Sequence, residues 1–129
     1  MTLTKRQRGI REKLMAVYST AGIETPITEH VMEGFPSNER SEAKQVLESL
    51  LTSGELVMLT PQICLYRKDY DRILEAAKAH FEENDSLTLA QLRDMLNTSR
   101  KYAQALVEYF DKIHITKKDG DIHYLDQGF

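Results

Sequence analysis

One cysteine, Cys64, stands in the whole sequence, so no internal disulfide can form and a reducing, cytoplasmic setting is expected. There is no run of about 18 apolar residues, which excludes a helical membrane span, and no membrane partner is expected. The start, Met1-Thr2-Leu3-Thr4-Lys5-Arg6, is charged and lacks the apolar stretch of a signal peptide. Positive charge is also short: 17 Lys and Arg face 20 Asp and Glu, net −3. That argues against a protein that coats nucleic acid generally, but leaves room for a small cationic site. No glycine is followed by lysine, so there is no P-loop, and neither G-x-S-x-G nor H-E-x-x-H occurs. No catalytic residue is expected, and the chain is not expected to be an enzyme. His30, His80, His114 and His123 do not space with Cys64 as ligands. His114 and His123 could face each other across a hairpin, but two histidines do not make a zinc site, so no metal is expected.

What is present is a plan used twice. Arg40-Ser41-Glu42-Ala43 lies over Arg100-Lys101-Tyr102-Ala103 at an offset of sixty, and Val46, Leu47 and Leu50 then fall on Leu106, Val107 and Phe110 at one-face helical spacing. Two β-like runs follow each helix. In the first half they are Leu56–Leu59 and Ile63–Tyr66, joined through Thr60-Pro61-Gln62. In the second they are Ile113–Thr116 and Ile122–Leu125, joined through the turn signal Asp119-Gly120. Each half opens with a long helix, 4–20 with Ile10, Leu14 and Val17 on one side, and 70–81 with Ile73, Leu74, Ala77 and Phe81. Residues 27–35 and 91–96 are expected as the middle helices. The fold class expected is mainly α with small β wings: two tandem winged helix-turn-helix domains, 1–66 as a structural spacer copy and 67–129 as the binding copy.

The candidate site lies at the second copy's helix start. Thr98 and Ser99 supply hydroxyls, free amides are expected in the first turn, and Arg100 and Lys101 add charge that would attract a phosphate. The alternative is that Thr98 or Ser99 only caps the helix and the cations face solvent. Two cations in a first turn oppose the helix dipole, whereas the first copy places Glu39 and Glu42 there, as the dipole prefers. From Asn97 to Lys118 five cations meet two carboxylates, a +3 window in a −3 chain. Lys117 and Lys118, beside the wing tip, are candidate phosphate contacts or plain edge charges. Arg93 could reach phosphate or pair with Asp94 or Asp111. Tyr102 could stack on an unpaired base.

The run Leu96-Asn97-Thr98-Ser99-Arg100-Lys101-Tyr102-Ala103, followed by Leu106-Val107-Glu108-Tyr109-Phe110-Asp111 and Thr116-Lys117-Lys118-Asp119-Gly120-Asp121, closely resembles the last winged helix of SelB, the bacterial selenocysteine-specific elongation factors. The strong match covers about the last 40 residues; the first copy matches in layout. Asn97 departs from the glycine expected there, but asparagine tolerates a left-handed backbone. The resemblance implies an RNA-binding module that recognises a messenger hairpin, the selenocysteine insertion element. The candidate contacts it implies are Arg93, Thr98, Ser99, Arg100, Lys101, Tyr102, Lys117 and Lys118. It implies no cofactor in this fragment; GTP and magnesium, selenocysteinyl-tRNA and the ribosome would belong to the rest of the parent factor. A C-terminal fragment ending at Phe129 and acting as a cytoplasmic monomer is expected. Two alternatives are a DNA-binding tandem winged-helix regulator, and a protein-interaction module whose first domain, read as acidic, docks a partner.

Overall fold

The computed structural model describes residues 2–129. The chain divides into two compact units, Met1–Asp69 and Tyr70–Phe129. It is mainly helical with small strand wings. Among the described residues no helix is long and apolar enough to cross a membrane.

The first unit opens with α1, Lys5–Ala21. Thr4 starts it through a capping box with Gln7, and Gly22, at φ 67°, stops it where a β-carbon would be strained. Ile10, Leu14 and Tyr18 form its buried stripe; Val17, expected with them, is half-buried. The middle helix α2 is shorter than the expected 27–35, spanning Thr28–Glu33. A 3₁₀ turn, Ser37–Glu39, leads into α3, Arg40–Ser53, which buries Ala43, Val46, Leu47 and Leu50 against the α1 stripe. Gly54, at φ 82°, ends α3 in the left-handed conformation. Strands β1, Leu56–Thr60, and β2, Ile63–Tyr66, pair antiparallel with a register irregularity between Met58 and Thr60.

In the second unit the long helix α4, Arg67–Glu83, begins at the joint residue Arg67, three residues before the expected start. Tyr70, Ile73 and Ala77 are buried, and the Tyr70 ring meets Tyr109 edge-on at 5.8 Å. Strand β3, Ser86–Thr88, comes next. Thr88 and Gln91 form a capping box, which starts α5 at Leu89 rather than Gln91 and carries it to Leu96. Helix α6, Arg100–Lys112, buries Ala103, Leu106, Val107 and Phe110. The expected strand 113–116 is a turn instead. Ile113 ends α6, His114 takes φ 65°, and β4 begins only at Thr116, running to Asp119. The β-like composition of Ile113–Thr116 was outweighed by the need to close the helix. Gly120, at φ 65°, and Asp121 turn the chain into β5, Ile122–Leu125. The sheet order is β3-β5-β4, so among the described residues the second unit has three strands where the first has two.

Candidate nucleic-acid interface

The turn between α5 and α6 is set by backbone hydrogen bonds. Asn97, at φ 50°, donates its N–H to Asp94 O at 3.3 Å, and Thr98 donates to Arg93 O at 3.1 Å. The Thr98 amide therefore closes α5. Ser99 is the N-cap of α6 with an extended backbone, and its hydroxyl makes no capping bond to the helix. The first helical bond runs from Ala103 N–H to Ser99 O at 3.1 Å. Amides of the turn before that bond are not used by the helix ladder, and the dipole favours an anion beside them. No acid occupies this first turn.

Arg100 and Lys101 are exposed. Lys101 Nζ sits 5.4 Å from the centroid of the half-buried Tyr102 ring, a cation–π contact that orients both. Among the described residues neither cation, nor Lys117 or Lys118, has a carboxylate within 4.0 Å. Ser99, Arg100, Lys101 and Tyr102 thus share one helix start. Arg93 does not join them as a free cation: its Nε meets Asp94 Oδ1 at 3.1 Å. The wing lysines do not share a face. Lys117 pairs across the ladder with Tyr124 and Lys118 with His123, so the two side chains leave opposite sides of the sheet. Adjacent strand residues must do this. Lys118 lies on the side of buried His123, and Lys117 on the side of Tyr124, which is 42% exposed.

The equivalent helix start in the first unit is closed off. Arg40, opposite number of Arg100, donates Nε to Phe35 O at 3.1 Å and Nη2 to Glu33 O at 3.3 Å. Arg6 reaches Glu39 and Glu42 at 3.7 and 3.2 Å. By register, Val57 and Met58 stand where the second wing has Lys117 and Lys118. A groove of about 650 Å³ lies in this unit. Its rim mixes Glu29, Glu33 and Glu48 with Arg40 and Lys44, so it selects neither charge. The reading of the first half as acidic is corrected by the division into units: residues 1–69 hold nine cations and nine carboxylates, and residues 70–129 hold eight and eleven. The acid excess lies in the second unit, outside the +3 window.

His114 and His123 do not face each other. His114 is exposed, with Nδ1 3.9 Å from Asp126, because its left-handed backbone turns it out at the helix end. His123 is buried, with Nδ1 2.9 Å from Asp111 Oδ2 and 3.0 Å from Oδ1. Thr116 Oγ1 donates to the same carboxylate at 2.6 Å. This cluster was missed from sequence. A signal for it existed: Asp111 and Thr116 lie sixty residues after Leu51 and Leu56, polar where the first copy is apolar.

Residues 79–125 match the family described as "Elongation factor SelB, winged helix". Over 121 residues, 94% of this chain, the sequence is 27% identical to the selenocysteine-specific elongation factor of Desulfomicrobium baculatum. The chain spans only 19% of that relative's length. The fold is similar, with a TM-score of 0.79 at 21% identity, to the mRNA-binding domain of elongation factor SelB from E. coli, solved in complex with SECIS RNA. That likeness covers 96% of this chain and 99% of the other. The chain is therefore similar along nearly all of its length to part of a selenocysteine-specific elongation factor.

Proposed function

From this likeness to the winged-helix tail of SelB, we propose that the chain is two winged-helix units in tandem and that the second binds a messenger-RNA hairpin of the selenocysteine-insertion class. The observation that carries the reading is the start of α6. Among the described residues Arg100 and Lys101 stand there with no carboxylate within 4.0 Å, on a helix end whose dipole favours anions, inside the segment that matches the family. A-form RNA hides its major-groove edges, so sequence is read at unpaired loop or bulge bases. Phosphates held at Ser99, Arg100, Lys101 and the wing fix the register, and unpaired bases are tested beside Tyr102. The first unit acts as a spacer. In this reading the rest of a longer cytoplasmic factor supplies GTP and magnesium binding, selenocysteinyl-tRNA and the ribosome, and the chain works as a monomer by binding rather than catalysis.

The test is hairpin binding by fluorescence anisotropy across a salt series. Arg100→Ala and Lys101→Ala are each expected to weaken binding by about 1–3 kcal/mol, with melting temperature nearly unchanged. With roughly three to five phosphates engaged, log K should fall with log salt at a slope of about −2 to −4. Wild-type affinity in both variants overturns the helix-start assignment. Equal affinity for duplex DNA of the same sequence favours the regulator reading instead.

A further inference from the structure

The Asp111 carboxylate ties together three elements of the second unit. It sits in the last turn of α6, accepts from Thr116 at the first residue of β4, and pairs with His123 in the middle of β5. Thr116 is 1% exposed and His123 4%. The same points in the first unit are known independently of side chains. Gly54 and His114, both left-handed, mark equivalent helix ends, and the ladders pair Met58 with Cys64 as they pair Lys118 with His123. The residues equivalent to Asp111, Thr116 and His123 are thus Leu51, Leu56 and Cys64, and the latter two are buried. One wing base is held by apolar packing and the other by a hydrogen-bonded polar network. Replacing such a network by apolar residues is often neutral or stabilising. Stability alone therefore does not explain the polar set. What hydrogen bonds add is direction: they fix one position of the strands where apolar contact tolerates several.

We propose that Asp111, Thr116 and His123 are positioning residues that clamp the wing to the end of α6 and so set where Lys118, cross-strand neighbour of His123 on the same face, meets RNA phosphate. The functional half of this rests on the hairpin-binding reading above; the structural half does not. Lys118 is exposed, and among the described residues it has no acidic partner, so its position is inherited from the strand.

The test uses the full chain carrying Asp111→Leu, Thr116→Leu and His123→Cys together, the first unit's own solution, with His123→Asn as a variant that keeps one N–H donor. In the triple variant, heteronuclear NOE values of the Lys117–Asp121 amides are expected to drop, while the melting temperature stays equal or rises. Hairpin affinity is expected to fall about fivefold, and the salt slope to shrink by about 0.7–0.9, one phosphate fewer. Adding Lys118→Ala to the triple variant then changes little, whereas in wild type it costs about the same fivefold. His123→Asn alone, with Asp111 and Thr116 in place, keeps much of both readouts. Unchanged wing order in the folded triple variant overturns the clamp whether or not RNA binds. Loose wing order with wild-type affinity and slope overturns its role in recognition. If wild type ignores the hairpin, the functional reading fails, and with it that role, while the NOE result still decides the clamp.

Discussion

Arg40 and Arg100 occupy equivalent helix starts and have opposite lives. Arg40 spends its guanidinium on the carbonyls of Glu33 and Phe35, closing the end of α2. Arg100 stays exposed, and α5 is closed instead by the amides of Asn97 and Thr98. The wings differ in the same sense, Val57 and Met58 against Lys117 and Lys118. The two units thus show how charge becomes available. A cation is offered outward when the backbone around it has already satisfied itself.

The largest effects should be shared by both units. Leu50→Ala and Phe110→Ala remove equivalent core side chains, 2% and 0% exposed, and each is expected to destabilise by about 2–5 kcal/mol in denaturant unfolding. A much smaller loss at either position would break the equivalence of the two helices.

A second contrast concerns alkaline pH. Burial pushes the Tyr18 hydroxyl up to about 12, with the charge of Cys64 beside it adding to the shift, and burial also raises the Cys64 thiol. Both groups stay protonated in the folded first unit after they would ionise in the unfolded chain. The Tyr18 contribution is whole below its ordinary value of 10.0 and is lost as pH climbs to about 12, while that of Cys64 is whole only below the ordinary thiol value of 9.0. The loss from Tyr18 is on the order of 2 kcal/mol. Amide resonances of residues 1–69 followed from pH 9 to 12 should report it, and Tyr18→Phe should abolish the tyrosine part. An identical alkaline profile in that variant would refute it.

The smallest effects separate the two arginines. Arg40→Ala is expected to cost about 1 kcal/mol of stability through its lost carbonyl bonds and to leave hairpin binding alone. Arg100→Ala should do the reverse. Thr88→Ala, which removes the cap of α5, should cost about 1 kcal/mol and weaken binding only as far as it loosens the turn. If Arg40→Ala lowered hairpin affinity as much as Arg100→Ala, the first unit would not be a spacer.

Much of this was legible in the residues because it is local or periodic. The stripes of α1, α3 and α6, the tolerance of Asn97 for a left-handed backbone, and the cation pair opening α6 are all short-range facts. The sixty-residue offset survived in the matched left-handed positions Gly54 and His114. The errors fell where distant groups compete for one segment. Composition favoured a strand at 113–116, but the end of α6 claimed it for a turn. Neighbours in sequence, Lys117 and Lys118, parted because a pleat alternates. His123 went to Asp111, twelve residues away, because only the folded sheet brings β5 over the end of that helix. Sequence determined which residues could cap, pack or carry charge; the tertiary structure decided which charges were consumed internally and which were left facing water, since that depends on what each backbone end and buried carboxylate finds within a few ångströms.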